Sequence, residues 1–500
     1  MLVMLPLAYT AIEAAQVDRD DLGDLLLRPL VGELLLNTLA LVCATTLIAG
    51  ILGTAAAWFV ERTRLPGRRI WAVLAAVPLA IPPFISSFAW VSLSPSLQTF
   101  GGALLVVTSA YYPLVYLPVA AALRGMDPAL EETARAMGLG PYGCFRRVVL
   151  PQLRPALLGG MLLVALNTLV EFGAFALLRF RTFTTEIYAE YRTGLDGPEP
   201  ALLAMVLVAL CLLCLVAEAR IRGNAHYARV GQGSRRRVGL QSLGWATLPV
   251  LAGFVLLALV TLGIPIGMIL FWVTQHNSAA TSAVRVSPLL LAGATFSSIW
   301  LGLAAAAATL ALALPLGILA TRYDGRLITM LERAAYLAQG VPGIVVALAL
   351  VGLTVQALQP LYQSVALLIM AYAVLFLPLA LVSVRAALMQ AQRQHEEAGR
   401  SLGLGWAATA WRVTLPLAGP GLGAAAAMVF VSVVTELTAT LLLAPTGTTT
   451  LATEVWADTT TLAFAAAAPY AALMTMLSLF ASWLLVRRFG VVASPAMPVV

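Results

Sequence analysis

The chain has 500 residues, 61% of them hydrophobic and only 11% charged, with a mean hydropathy of +0.92. A water-soluble domain carries about 25% charged residues, so this composition indicates an integral membrane protein. The long apolar runs fit membrane-spanning helices and not the alternating strands of an outer-membrane barrel. The net charge is +7, and every one of the thirty basic residues is arginine. A phosphate loop of the G-x-x-x-x-G-K-[ST] type needs its lysine, so the chain is not itself an ATPase of that class.

Residues 1–15 are apolar but shorter than the roughly 20 residues that cross a hydrocarbon core. Pro6 falls where Pro265 falls near the end of a full span at 245–272, so 1–15 reads as the outer end of a truncated first helix. An acidic stretch with Glu13, Asp18, Asp20, Asp21 and Asp24 follows. Spans are expected at about 30–59, 70–93, 101–123, 155–178 and 201–219. After an arginine-rich linker come spans at about 245–272, 289–320, 331–357, 362–384, 420–443 and 464–486. Cys211 and Cys214 lie three apart in an apolar run with no His or acid at ligand spacing, so they read as packing residues and no metal site is expected. His226, His276 and His395 form no motif.

The second set of spans repeats the first. Arg62 matches Arg322, and Pro82-Pro83 matches Pro342-Gly343; further on, Pro113 matches Pro378. The fold class is therefore all-α and polytopic, two homologous halves of about six helices each, related as a parallel repeat. The expected organisation is a first half at 1–219, a basic linker at 220–244, a second half at 245–488 and a tail at 489–500. Arginines gather in alternate loops: Arg62, Arg64, Arg68 and Arg69; Arg124, Arg135, Arg146, Arg147 and Arg154; the linker; Arg322, Arg326 and Arg333; Arg385, Arg393, Arg400 and Arg412; Arg487 and Arg488. Alternation of spans puts all of these on one face, which the arginine bias makes the cytoplasm, together with the linker and the C-terminus. The opposite face receives the acidic stretch, the loop with Glu186, Glu190, Asp196 and Glu199, and a threonine-rich loop around 446–458. Few arginines lie there: Arg19, Arg28, Arg179, Arg181, Arg192 and Arg285.

The most specific repeat is polar. E-T-A-R-A-M-G-L-G-P-Y-G-C-F-R-R-V-V-L-P at 132–151 and E-A-G-R-S-L-G-L-G-W-A-A-T-A-W-R-V-T-L-P at 397–416 align without a gap, since 397 − 132 and 416 − 151 both equal 265. In the first, Asp127 suits a cap, Pro128 the first turn of a helix, and Glu131 and Glu132 its positive end. Gly138 suits a left-handed stop. A second short helix through 145–149 is expected to follow, with Leu150-Pro151 leading into the next span. A plain amphipathic connector between spans has no need to repeat such polar detail, whereas two equal cytoplasmic knobs suit a partner with two equal sockets.

The spacing E-x-x-x-x-x-G-x9-[I/V]-x-L-P resembles the EAA loop of binding-protein-dependent ABC importer permeases, in Glu132, Gly138, Val148, Leu150 and Pro151 and again in Glu397, Gly403, Val413, Leu415 and Pro416. Thr133-Ala134 and Ala398-Gly399 depart from the double alanine while keeping small residues. The resemblance covers nearly the whole chain, with loops at 131–155 and 396–420. It implies the Type I importer fold and a coupling role for Glu132, Arg135, Gly138, Leu150, Pro151, Glu397, Arg400, Gly403, Leu415 and Pro416. It also implies two copies of an ATPase subunit that hold the ATP and Mg, a substrate-binding protein, a bacterial inner-membrane location in lipid, and no nucleic acid. The chain is then no enzyme and binds no cofactor.

For substrate, E-F-G-A-F-A-L-L-R-F-R-T-F-T-T-E-I-Y from Glu171 and E-L-T-A-T-L-L-L-A-P-T-G-T-T-T-L-A-T-E-V-W from Glu436 resemble segments of fused ferric-iron permeases, although Thr438 stands where that family has proline. Thiamine, polyamine, phosphonate and sulfate permeases share the EAA loop. Glu171 and Glu436 are equivalent positions inside expected spans. A carboxylate there faces a cavity or a partner, so the pair either lines the pathway or makes a packing hydrogen bond. An ion-coupled secondary transporter is the rival of another class. It calls for a relay of intramembrane acids or histidines, against essentially one carboxylate per half here.

Overall fold

A computed structural model of the chain describes residues 4–17, 23, 27–194, 199–222, 240–275, 287–323, 325–337, 340–391 and 393–489. Most of the linker, most of the acidic stretch, Arg285, His226, His276 and the tail beyond 489 lie outside the described residues. Among those described, nine helices are long and apolar enough to cross a membrane. The only strand-like pairing among them is one isolated bridge, Thr63 to Gln241.

Several expected spans are broken where the sequence leaves the backbone short of donors. The span expected at 70–93 is Arg68–Ala80 and Pro83–Leu93, bent by 92°. Ile81 is extended (φ −99°, ψ 114°) because the proline that follows disfavours helical geometry. The matched region gives Arg326–Leu337 and then Gly343–Gln356. Pro82 and Pro342 have the same conformation (φ −58°, ψ 143° and φ −59°, ψ 142°), each just before a new helix, so these prolines start helices instead of kinking them. The spans expected at 155–178 and 420–443 begin earlier, at Tyr142 and Trp406, and stop at Val170 and Val434. Residues 5–14 form a helix, as the apolar N-terminal run suggests.

The chain divides into two compact units, one of residues 20–186 and 206–271, the other of residues 1–19, 187–205 and 272–500. In the first, the 34-residue helix Pro29–Arg62 packs against Pro113–Gly125 and Leu150–Val170. Gly53 and Gly160 lie so close to the backbone of residues 112–116 that a Cβ at either would collide with it. Phe254, from the leading helix of the second half, sets its ring 5.5 Å from that of Trp71. In the other unit, Pro288–Arg322 packs with Val365–Gln390 and Leu415–Val434. The N-terminal helix Leu5–Ala14 lies on Gly343–Gln356, where Glu13 accepts from Tyr9 (2.7 Å) and Gln356 (3.0 Å). Each unit therefore holds one three-helix core together with a helix from outside it, Thr247–Ala258 in the first and Leu5–Ala14 in the other.

Matched side chains start matched helices. Thr99 Oγ1 accepts from Gly102 N–H and Ser364 Oγ from Leu367 N–H at the heads of Phe100–Tyr111 and Val365–Gln390. Hydroxyls of the long helices do the same across space: Thr38 Oγ1 accepts from Phe183 N–H (3.4 Å) and Ser298 Oγ from Leu451 N–H (2.9 Å).

Candidate functional site

The two polar islands fold alike. Helix Pro128–Ala136 is capped by Asp127, whose Oδ1 accepts from Ala129 N–H at 2.9 Å. It stops at Gly138, with φ +85°. Gly138 N–H donates to Arg135 C=O (2.9 Å) and Leu139 N–H to Ala134 C=O (3.1 Å). Helix Arg393–Ser401 stops at Gly403 with φ +88°, and the equivalent bonds to Arg400 and Gly399 measure 2.9 and 3.1 Å. This is the Schellman closure of a helix, which favours glycine for its left-handed backbone. A Cβ at either position would meet open space, so conformation and not room requires the glycine.

The second short helix is not a separate piece. Pro141–Cys144 runs through a widened π-turn, Phe145–Val149, straight into Leu150–Val170. Trp406–Thr409, the π-turn Ala410–Thr414 and Leu415–Val434 do the same. Leu-Pro belongs to the long helix: the proline ring clashes with a carbonyl four residues back, and the wider turn relieves it.

What fixes each island is a buried ion pair that the motif spacing does not reveal. Glu132 and Glu397 are exposed; Glu397 makes only a surface contact with Arg393 at 3.6 Å. Their neighbours Glu131 and Glu396 turn inward to the last residues of the two long helices. Arg62 Nη2 lies 3.0 Å from Glu131 Oε1, with side chains 3% and 4% exposed. Arg322 Nη2 and Nε donate to Glu396 Oε1 at 2.7 and 3.1 Å, and Thr414 Oγ1 donates to the same oxygen at 3.0 Å. Arg322 Nη2 also donates to the carbonyls of Ala391 (2.8 Å) and Leu388 (3.2 Å). The first pair is electrostatic without hydrogen-bond geometry, and Arg62 Nε has no hydrogen-bond partner among the described residues. There an aromatic contact supplements the anchor: Phe145 meets Trp58 edge-on at 4.9 Å, where the second half has Ala410 and Ile318.

The small residues of the motif have a packing reason. Ala134 is buried, and a Cβ on Gly399 would meet Val413, Leu404 and Thr409 at 3.4–3.7 Å, room for a methyl and little more. Arg135 is 44% exposed, 3.8 Å from Glu131. Arg400 lines a cleft beside Arg322, Tyr323, Glu396 and Trp406. Leu150 and Leu415 are half-buried, Pro151 and Pro416 exposed. The signal for Glu131 is present in the sequence as a Glu-Glu doublet in both copies. Glu131 and Ala134 share the inward face at i, i+3, which turns Glu132 outward.

Glu171 and Glu436 sit at helix breaks instead of inside spans. Glu171 ends Leu150–Val170, and its Oε1 accepts from Ala174 N–H (2.9 Å) in the next short helix. Glu436 Oε1 accepts from Ala439 N–H (3.0 Å). Thr184 and Thr440 hydroxyls donate to the two glutamate carbonyls at 2.6 and 2.7 Å. Both carboxylates thus accept from a backbone N–H in the first turn of the short helix that follows. Glu171 also accepts from Tyr111 at 2.6 Å, whose matched position is Phe376. Glu171→Ala is expected to cost about 1–2 kcal/mol through the lost cap, with Glu171→Gln retaining most of it, as thermal melting in detergent will read.

Outside the spans, Glu454 and Asp458 lie one turn apart on Leu451–Thr460, and burial, then the charge of Glu454, pushes Asp458 up to about 6. A carboxyl raised on folding binds its proton more tightly in the folded state, so stability falls as pH rises from about 4 through 6. Asp458→Asn is expected to flatten that fall in melting curves measured across this range. Among the described residues no three His, Cys, Asp or Glu side chains are grouped to hold a metal ion.

Residues 48–222 and 313–489 each match the family described as binding-protein-dependent transport system inner membrane component. The chain is 38% identical over 475 residues, 95% of its length and 93% of the relative's, to the Fe(3+)-transport system permease protein FbpB 2 of Haemophilus influenzae. It is 30% identical over 194 residues, 36% of this chain and 72% of the relative, to a probable molybdenum ABC transporter permease protein of Haloferax volcanii. The sulfate transport system permease protein CysT of Salmonella typhimurium is 28% identical over 236 residues, 43% of this chain and 85% of the relative. Two family repeats in an all-α, multiply spanning chain, each with its own anchored island, leave one assignment: the chain belongs to the inner-membrane permeases of binding-protein-dependent ABC importers, both halves fused in one polypeptide.

Proposed function

We propose that this permease carries ferric iron inward, receiving it from a substrate-binding protein and driven by two copies of a separate ATPase that hold ATP and Mg. The islands at 131–155 and 396–420, the linker at 220–244 and the C-terminus face the cytoplasm, and the halves run 1–219 and 245–488. The carrying observation is the island itself, found twice with the same helix stop, the same π-turn and the same buried arginine–glutamate anchor. Two equivalent, rigidly held projections suit two identical subunits. Glu132, Arg135, Gly138, Glu397, Arg400 and Gly403 present the contact surface, while Leu150, Pro151, Leu415 and Pro416 carry motion into the long helices. The arginine distribution supports the sidedness. Iron is supported by the similarity to an Fe(3+) permease over nearly the whole chain, whereas the molybdenum and sulfate relatives match over less than half of it.

Cells lacking their own ferric-iron importer, given this chain with the ATPase and binding protein encoded beside it, are expected to accumulate radioactive Fe3+. Accumulation of sulfate or molybdate without iron would replace the substrate and leave the importer assignment standing. Glu171 and Glu436 contact substrate only if their glutamine variants lose uptake while ATP hydrolysis persists.

A further inference from the structure

The loop after helix Gly173–Leu177 is strained in a way its repeat is not. Arg179 has φ +50°, left-handed, in a Schellman closure: Arg179 N–H donates to Ala176 C=O (3.1 Å) and Phe180 N–H to Phe175 C=O (2.9 Å). Gly138 and Gly403 fill that place in the islands. In the second half the corresponding helix, Thr438–Leu443, ends with Ala444 extended, and the loop takes its left-handed residue at Gly447. An arginine held where a glycine relieves strain points to a use for its side chain.

The loop is also firmly seated. Phe180 packs against Phe100 (centroids 5.9 Å apart) and Phe175 (6.4 Å), and Arg181 C=O accepts from Asn37 Nδ2 at 3.3 Å. Phe183 N–H is held by Thr38 on the same long helix. The side chains of Arg179 and Arg181 flank this anchor and are exposed. On the importer reading they face outward, where the arginine bias of membrane insertion disfavours them. Of the other outward arginines that are described, Arg192 covers the Tyr188 ring at 5.9 Å and Arg28 also has an interaction. The side chains of Arg179 and Arg181 have no partner among the described residues. The second-half loop, Ala-Pro-Thr-Gly-Thr-Thr at 444–449, carries no charge.

We infer that Arg179 and Arg181 form a docking point for a carboxylate-bearing patch on the substrate-binding protein, and that its absence from the second half makes that protein land in one orientation. This rests on the importer reading. Two homologous halves offer a partner two nearly equivalent seats; a partner without that internal symmetry is oriented only where the halves differ. A pair of guanidinium groups on an anchored loop, each able to grip a carboxylate with two donors, supplies that difference.

The test uses the full chain with its ATPase in lipid nanodiscs, titrated with the binding protein encoded beside it and scored by ATPase stimulation at low and physiological salt. With the unaltered chain, the half-saturating concentration is expected to rise with salt. The double variant R179G/R181S should raise it roughly five- to thirtyfold, as two lost ion pairs of up to about 1 kcal/mol each imply, with a flatter salt dependence. R179E/R181E should raise it further. R179G alone should melt no lower than the unaltered protein, since glycine accepts the left-handed backbone, so weaker docking is not misfolding. An unchanged half-saturating concentration and salt slope in the double variant, beside clear stimulation of the unaltered chain, would overturn the docking inference alone. No stimulation of the unaltered chain would remove the importer reading and this inference with it.

Discussion

Arg322→Ala is expected to be among the most damaging single substitutions in the chain. It strips Glu396 of a forked partner in a site 10–14% exposed and frees the carbonyls of Leu388 and Ala391. Removing one partner of a buried pair costs about 3–5 kcal/mol, because the remaining charge stays buried and uncompensated; a folded domain has only about 5–15 kcal/mol in total. Unfolding of the purified protein in detergent measures this directly. Replacing both partners, as in R322M/E396L, should recover most of the stability, since apolar isosteres of a buried pair are often neutral. It should not recover coupling, because the island is then no longer tied to the end of the long helix. Uptake per ATP hydrolysed in that double variant separates holding the fold from positioning the island. The same experiment at Arg62 and Glu131 should show a stability loss of similar size, since the charge left alone there is at least as deeply buried, at 3–4% exposure.

The second large effect is at the helix stops. Gly138→Val or Gly403→Val puts a β-branched side chain at φ near +85° to +88°, where such residues are genuine outliers. Left-handed backbone costs an L-residue about 1–2 kcal/mol, which disfavours the intact turn by about five- to thirtyfold. A Cβ at either glycine meets open space, so insertion and overall stability should hold while the island's exit angle is lost. The expected result is continued ATP hydrolysis with uptake falling by that factor, for either glycine alone. Coupled transport left intact in either variant would reduce that island to a connector.

Much of this was legible in the chain itself. Periodicity and hydropathy located the spans, the ungapped repeat located both islands and their glycine stops, and residue type marked Asp127 as a cap. What the chain alone does not reveal has physical causes of several kinds. Hydropathy follows the lipid and is blind to where a helix breaks, so the bend at Pro82, the helix start at Pro342 and the interruptions at Glu171 and Glu436 were hidden inside apolar runs. Spacing marked Glu132 and Glu397, but helical phase decides which of two adjacent glutamates faces inward. Their partners, Arg62 and Arg322, lie 69 and 74 positions away in sequence from Glu131 and Glu396, a tertiary fact that no local pattern carries. The π-turns come from proline strain relieved in context, which no propensity encodes.

The most direct test of the chain as a motorless permease is transport in proteoliposomes holding the purified protein with and without the ATPase encoded beside it, with iron-loaded binding protein outside and ATP inside. Fe3+ is expected to accumulate only when the ATPase and ATP are both present, with no response to an imposed proton or sodium gradient. Accumulation without the ATPase, driven by either gradient, would contradict the assignment and make the chain a secondary transporter.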